Sequence, residues 1–407
     1  MTDLIFTDRQ QELMRIFKHG ELARINILQG SVRSGKTWIS LILWAFWVAV
    51  SPVDGTFLMV GKTLTALKRN CLEPLIGLVG EDNFSYSFAA KEGKLFGHNI
   101  LLEGVSDARA EGKIRGLTLN GAYCDELTLF TEDFFTMLLS RLSEHGAKLF
   151  GTTNPDNPRH WLKVKYLDHE RDLNLLSMLF RLEDNTTLDA EYVASIKKEY
   201  NGLFYKRFIL GQWTTAEGAV YDMFSEEEHM IDSILEKTNG RYYVSCDYGT
   251  QNATVFLLWT QGVSGVWYCV REYYYSGREH NRQKTDEEYF KDFEAFLDGI
   301  VPVRVVIDPS ASSFIAVLKQ RGCRVKQAKN DVTPGIRYTG SLLSAGKLKF
   351  LRCCTNTRDE FLSYIWDSKA ADKGEDKPVK TNDHAMDAVR YFAYTIIRRP
   401  NGMSILK

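Results

Sequence analysis

Short apolar runs recur through the first half of the chain, each followed by a polar or glycine-rich break. They fall at Ile25–Leu28, Phe57–Val60, Ile100–Leu102, Ala122–Cys124 and Leu149–Gly151, short enough for buried strands. Helix-like segments lie between several of them, the clearest being the apolar stretch Trp38–Val50. Such alternation predicts an α/β fold with a mostly parallel sheet and helices on its faces. A ligand then belongs at the carboxyl ends of the strands. From about Leu188 the pattern changes to helix with many long polar residues, then to a turn-rich piece around Glu217 and Gly218 and the acidic run Glu226–Glu228. A second strand-rich block starts at Arg241 and reaches Ser310, with helical segments expected over 285–298 and 383–397. The pattern divides the chain into a first domain over 1–185, a helical connecting segment over 186–236 and a second α/β domain over 237–407. No repeat is visible, and Lys369–Lys380 reads as an exposed loop.

Composition narrows the class without naming it. The 407 residues are 44% hydrophobic and 25% charged, ordinary for a globular protein, and the formal net charge is −1. No global basic field advertises nucleic acid, so any such surface must be a local patch. Seven cysteines with no C-x-x-C pair point to a reducing compartment rather than a disulfide framework. Trp38–Val50 is too short to span a bilayer and no basic-then-apolar leader opens the chain. A cytoplasmic protein without a membrane partner is the expectation.

The first chemistry-bearing motif is GSVRSGKT, Gly30–Thr37, which fits the phosphate-loop pattern and sits between a strand and a helix as that motif requires. Backbone amides of Gly30, Ser31, Arg33, Ser34 and Gly35 would face nucleotide phosphates, Lys36 would neutralise them and the Thr37 hydroxyl would hold magnesium. A glycine-rich turn that matches by chance is the bland alternative. Cys124 is followed by Asp125 and Glu126 at the end of an apolar run, where Asp125 suits the magnesium shell and Glu126 the attacking water. Capping of the next helix is the rival role for that acidic pair. Thr153 and Asn154, after another candidate strand, could sense the γ-phosphate; an Asn-Pro turn is the simpler reading. Arg33 could meet transition-state charge or pin the loop to a carboxylate. Near the amino terminus, the segment around Gln10 resembles the glutamine element that contacts adenine in many translocases.

A second constellation lies in the other half. Asp247 and Asp308 each end a candidate strand, and Asp383, His384 and Asp387 open a candidate helix at spacings that let them share a face. Carboxylates so arranged could hold two divalent cations, magnesium or manganese rather than zinc, for phosphodiester cleavage. Singly, each aspartate is an ordinary strand end or helix cap.

Taken in order, GSVRSGKT, KIRGLTLNGAYCDE (113–126), GTTNPDNP (151–158), RFILGQWTTAEGAVYDMF (207–224), SCDYGTQNAT (245–254), IDPSASSFI (307–315) and NDHAMDAVRY (382–391) make the chain resemble a phage terminase large subunit of the PBSX-like branch. The resemblance spans nearly the whole chain. It implies an ASCE-type P-loop ATPase domain joined to an RNase H-like nuclease domain, ATP with Mg2+ at the first site and two Mg2+ or Mn2+ ions at the second. It further implies double-stranded DNA, a portal protein, a small terminase subunit and a pentameric ring of its own copies as partners, in the host cytoplasm and transiently on the procapsid but not in the mature virion. The same resemblance carries catalytic roles onto Glu126, Asp247, Asp308 and the Asp383, His384, Asp387 cluster. Lys163, Lys165, Lys197, Lys198, Lys206 and Arg207 are candidate DNA contacts, with solvated helix faces as the alternative. Competing readings are a P-loop helicase or DNA remodeller, and a nuclease-inactive prophage relic that only docks; no second motor core follows residue 190, which disfavours the former.

Overall fold

The computed structural model describes residues 6–52, 55–105, 110–249 and 252–398. They pack as two compact units. The first comprises the described residues up to Val193 together with Tyr205–Thr215 and Asp372–Glu375; the second comprises Ala194–Phe204, Ala216–Ala371 and the described residues from Asp376 onward.

In the first unit the apolar runs become strands β1 (Ile25–Gly30), β2 (Thr56–Gly61), β5 (His98–Gly104), β6 (Gly121–Cys124) and β7 (Lys148–Thr153), each containing the run that announced it. Strands β3 (Phe84–Ser87), β4 (Glu92–Leu95) and β8 (Leu175–Phe180) complete an eight-stranded sheet in the order β3-β4-β5-β2-β6-β7-β1-β8. All pairings from β5 to β8 are parallel, and β3 and β4 add an antiparallel edge. The helix behind the phosphate loop, Lys36–Val50, is apolar on nearly every side because it is buried against the sheet. Its Trp44 is fully buried and meets Phe57 and Phe150 edge to face, with centroids 5.7 and 5.8 Å away. Strand β7 lies between β1 and β6, so their carboxyl ends bring three separate sequence motifs side by side.

The second unit has a seven-stranded mixed sheet. It contains β9 (Met230–Ile231), β10 (Thr238–Asp247), β11 (Ala253–Gly262), β12 (Trp267–Ser276), β13 (Arg304–Ile307), β14 (Val325–Gln327) and β15 (Leu348–Leu351), in the order β14-β13-β10-β11-β12-β15-β9. Alternation along the strands sorts the two faces. Val244, Cys246, Val305 and Ile307 join the cluster under the helices Asp286–Leu297 and Ser312–Gln320. On the opposite face Trp259 stacks on Phe392 at 4.4 Å, and Val306 packs on Tyr391. Asp247 and Asp308 follow the parity of Ser245 and Val306, so both belong to the face covered by the helix His384–Phe392.

Several expectations change in detail. The helical run after Leu188 is two helices, Ala190–Glu199 and Gly202–Phe208, and Tyr205–Thr215 belongs with the first unit. The helix expected over 383–397 starts at His384, with Asp383 as its N-cap outside the helix, and widens to a π-turn over Ala393–Ile397. Lys369–Lys380 is not simply an exposed loop: Ala370 and Ala371 are buried in a short helix, and Pro378 bridges to Trp366.

Candidate functional site

Gly30 leaves β1 at φ 138°, and a β-carbon there would lie 1.9 Å from the Phe180 carbonyl oxygen. Only glycine fits that approach. The loop that follows is tied down from two sides. The Ser31 amide donates to the Phe180 carbonyl at 2.9 Å, and the Val32 amide to that of Phe208 at 2.8 Å. The Ser31 hydroxyl donates to the Ile209 carbonyl, and the Asn185 side chain to that of Arg33, both at 2.7 Å. The amides of Ser31 and Val32 are therefore engaged by the protein, leaving the turn from Arg33 to Thr37 as the part of the loop fit to meet phosphate. Gly35, at φ 82°, is the N-cap of the helix Lys36–Val50, whose positive end points the same way. Gln10 packs on this turn: its amide nitrogen is 2.9 Å from where a Gly35 β-carbon would stand, and its oxygen accepts from the Thr7 amide.

Lys36 is buried and donates to the Ser31 carbonyl and to Asn154 Oδ1, each at 2.8 Å; the Ser34 hydroxyl donates to the same carbonyl. Burial pushes the Lys36 ammonium down to about 8, against the opposing pull of Glu126 and Asp125. Asn154 thus reaches the loop lysine, whereas the Thr153 hydroxyl turns to Thr128, 3.0 Å away. Asp125 is nearly fully buried at the end of β6 and accepts from the Thr152 hydroxyl and from Asn70 Nδ2, both at 3.0 Å. Asn70 lies on a π-helical turn, Lys68–Leu72, a helix widening frequent at functional sites. Glu126 follows at φ 59°, a left-handed conformation costing on the order of 1–3 kcal/mol for such a residue. It makes no side-chain capping bond to the helical turn after it, so capping does not account for it. The hard oxygen donors of Asp125, and the hydroxyl of Thr37 in the first turn of the helix Lys36–Val50, suit magnesium chemically. Arg33 is exposed at φ 58°, and the loop is held there through its backbone carbonyl, which accepts from Asn185.

In the second unit Asp247, Asp383, His384 and Asp387 line one cavity of about 540 Å³. Asp247 Oδ2 stands 3.0 Å from His384 Nδ1. Burial raises the Asp247 carboxyl to about 6, with Asp387 and Asp383 adding to the rise and His384 opposing it. Burial works against the His384 imidazolium, yet its contact with Asp247 leaves it above its ordinary value. Asp387 accepts from Arg390 Nη2 at 2.7 Å and lies 3.4 Å from Lys380 Nζ, which is 2.9 Å from Asp383. Asp308 does not line the cavity. It directly follows the end of β13, the parallel neighbour of β10, and accepts from the Ser310 amide (2.7 Å), Asn330 and the Tyr391 hydroxyl (3.1 Å each). Burial would raise its carboxyl, but those donors hold it below the usual carboxylate range. Among the described residues no three acidic, His or Cys side chains already converge as metal ligands; Asp247, Asp308 and Asp387 each contact an internal partner instead. The donor set is nonetheless oxygen-rich and suits magnesium or manganese.

Thr152 carries this geometry from within the GTTNPDNP motif; Asn70, Asn185, Asn330, Lys380 and Arg390 carry it without having been singled out from sequence. Of these, only Arg390 had a local signal, three residues after Asp387. The basic candidates fare differently. Arg207 is buried and bound to Asp156 and the Thr214 carbonyl, so it is a structural contact, whereas Lys163 and Lys165 pair at the surface with Asp168 and Glu132. Thr250 and Gln251 of the motif after Asp247 lie outside the described residues.

Residues 27–228 match the family model for the terminase large subunit, T4likevirus-type, N-terminal. The large terminase from a thermophilic bacteriophage is 40% identical, covering 97% of this chain and 100% of that one at a TM-score of 0.90. The same phage protein in complex with ADP matches at 40% identity, 96% and 100% coverage and a TM-score of 0.88. Its complex with ATP-gamma-S matches at 40%, 97% and 100%, with a TM-score of 0.87. No curated protein matches the chain.

Proposed function

The chain belongs to the phage large-terminase family, and on that premise we propose that its two sites are an ATPase engine and a metal-dependent DNA nuclease, with the residues assigned as follows. Lys36 and the turn Arg33–Thr37 hold the nucleotide phosphates, Gln10 borders the base, Asp125 and Thr37 hold the magnesium, and Glu126 orients the attacking water. The thermophilic phage terminase bound to ADP and to ATP-gamma-S supports nucleotide as the ligand here. Magnesium would neutralise developing phosphate charge. Asn154, bound to Lys36 at 2.8 Å, reports the state of the phosphates to β7; Thr153 supports it by holding Thr128. The observation that carries this half is the convergence of Lys36, Asn154 and Asp125 from adjacent strand ends.

Asp247, Asp308, Asp387 and His384 are the assigned nuclease residues, with Asp383 completing the set from the helix N-cap. Metal bound there would supply an activated water and stabilise the leaving oxygen of a phosphodiester. The chain's own part is orientation: Arg390 fixes Asp387, Tyr391 and Asn330 fix Asp308, and His384 stands against Asp247. In this reading the enzyme cuts concatemeric phage DNA and drives it into a procapsid, working with double-stranded DNA, a portal, a small subunit and copies of itself in a ring in the host cytoplasm. Among the described residues no helix is long and apolar enough to cross a membrane. The functional boundaries 1–185, 186–236 and 237–407 and the PBSX-like branch belong to the same proposal. Because a nuclease active throughout translocation would destroy its own substrate, cleavage by the isolated protein should be weak or gated.

The deciding experiment is plasmid cleavage with magnesium or manganese, comparing wild type with Asp308→Ala and Glu126→Ala. Loss of cutting in Asp308→Ala with ATP hydrolysis intact supports two separable engines. Equal cutting by wild type and Asp308→Ala sinks the assigned nuclease site.

A further inference from the structure

Glu360 sits on the helix Thr355–Ser363 and is nearly fully buried. A buried carboxylate needs several donors to be tolerated, and this one has three. Its Oε1 accepts from the Tyr274 hydroxyl at 3.0 Å, and its Oε2 from the backbone amides of Ala385 (2.7 Å) and Met386 (3.1 Å). Those amides belong to the first turn of the helix that carries His384 and Asp387. A helix normally has such amides capped by its own N-cap side chain, and an aspartate is among the best residues for that task. Here Asp383 holds the N-cap position but makes no capping bond; its Oδ2 lies 2.9 Å from Lys380 Nζ instead, and the residue lines the cavity. Glu360, brought in from another helix, takes over the capping and leaves Asp383 turned toward the site.

Glu360 is itself held by a similar contact. Glu272 on β12 accepts from the amides of Asn356 and Thr357, at 3.0 and 2.6 Å, in the first turn of the Glu360 helix. Glu272 and Tyr274 are two residues apart on β12, so a single strand grips both the helix bearing Glu360 and the Glu360 carboxylate. The strand, the middle helix and the site helix are linked in series by carboxylates.

We infer that Glu360 is a positioning residue of the nuclease site, fixing the start of the helix His384–Phe392 so that His384 meets Asp247 and Asp383 stays turned to the cavity. This rests on the nuclease reading above. Glu360 touches neither substrate nor reacting atoms; it acts through the first turn of that helix. A residue that orients metal ligands from behind characteristically changes metal affinity or activity by about 10- to 100-fold when lost.

The test uses the full chain as wild type, Glu360→Ala, Glu360→Gln and Asp308→Ala. The readouts are Mn2+ binding by titration calorimetry, plasmid cleavage against metal concentration, thermal unfolding of the full chain as the check of folding, and ATP hydrolysis as the check that the first unit is untouched. Glu360→Ala is expected to weaken Mn2+ binding and raise the metal needed for half-maximal cleavage by about 10- to 100-fold, with ATP hydrolysis unchanged. Glu360→Gln keeps one side-chain oxygen for the two amides and should recover part of the loss. A metal-free crystal structure of Glu360→Ala should show the 3.0 Å contact of His384 with Asp247 opened. Wild-type Mn2+ affinity in Glu360→Ala overturns the proposal; should that variant not fold, wild-type affinity in Glu360→Gln does so. Undiminished cutting by Asp308→Ala instead overturns the nuclease reading, while the His384 contact and Mn2+ affinity in the Glu360 variants still decide the positioning role.

Discussion

At the phosphate loop the chemistry-bearing side chains are already arranged around a shared centre: Lys36 on Asn154, Asp125 between Thr152 and Asn70, with the loop braced by Phe180, Phe208 and Asn185. At the second site each carboxylate is held by a different internal donor, Asp247 by His384, Asp308 by Tyr391, Asp387 by Arg390, and no ligand cluster has formed among the described residues. The first site is organised by backbone, since a glycine-rich turn between a strand and a helix has few ways to fold. The second is organised by side chains reaching from two strands and a helix, so cation binding there must compete with existing partners. A preformed site should tolerate the loss of a supporting residue better than a competed one.

The strongest way to break this comparison is to remove a principal residue from each side. Asp247→Asn should lower DNA cleavage by about 100- to 10,000-fold and leave ATP hydrolysis within about two-fold, the range for losing a group that acts directly on the reacting atoms. Lys36→Ala should do the converse, with ATP hydrolysis reduced about 100-fold or more and metal-dependent cleavage of plasmid retained. Loss of both activities in either variant would show that the sites are not separable and that the contrast drawn here is wrong.

A finer test removes one supporting donor from each carboxylate. Asn70→Ala takes a hydrogen bond from Asp125, and Tyr391→Phe takes one from Asp308. Asp125 keeps Thr152, and the braced loop keeps its shape, so ATP hydrolysis should fall by no more than about 10-fold. Asp308 must give up some internal donors to meet a cation, so Tyr391→Phe should alter the metal requirement for cleavage more than its maximal rate. If removing Tyr391's hydroxyl leaves the metal requirement untouched, competition by internal partners is not what distinguishes this site.

The same contrast explains what could be read from sequence. Gly30–Thr37 is contiguous, and its strand-loop-helix setting is local, so pattern and spacing suffice to find it; β1, β2, β5, β6 and β7 follow from apolar runs buried on both faces of a parallel sheet. Strand β8, Leu175–Phe180, is not among the runs read from sequence, its apolar residues being interrupted by Ser177. Asp247 and Asp308 are legible as strand ends, but their shared face depends on the parallel register of β10 with β13, which neither segment encodes alone. Asn70 has no signal: it reaches Asp125 only because the helix widens to a π-turn at Lys68–Leu72. Arg207 misleads for the opposite reason, since beside Lys206 it reads as a basic helix face, yet it is buried against Asp156.

The smallest expected effect follows from the protonation of Lys36. Burial brings its ammonium down to about 8. Between that value and the ordinary 10.5, the unfolded chain holds a proton that the native chain has released, so this group makes stability rise with pH across that window. Below about 8 both states are charged, and the native state carries the cost of burying the cation. Bound phosphates reverse the balance, because the charged form gains an opposite partner and its pKa climbs. Nucleotide binding at pH 8–9 should therefore take up a proton, and affinity should fall from pH 7 to 9 by up to about tenfold per unit once Lys36 is neutral. Calorimetric titration of ATP in two buffers of different ionisation enthalpy measures both quantities directly. Lys36→Arg, whose guanidinium stays charged throughout, should bind with no such dependence. An unchanged affinity between pH 7 and 9 in the wild type would mean that Lys36 is not desolvated before nucleotide arrives, and the preformed character assigned to this site would fall with it.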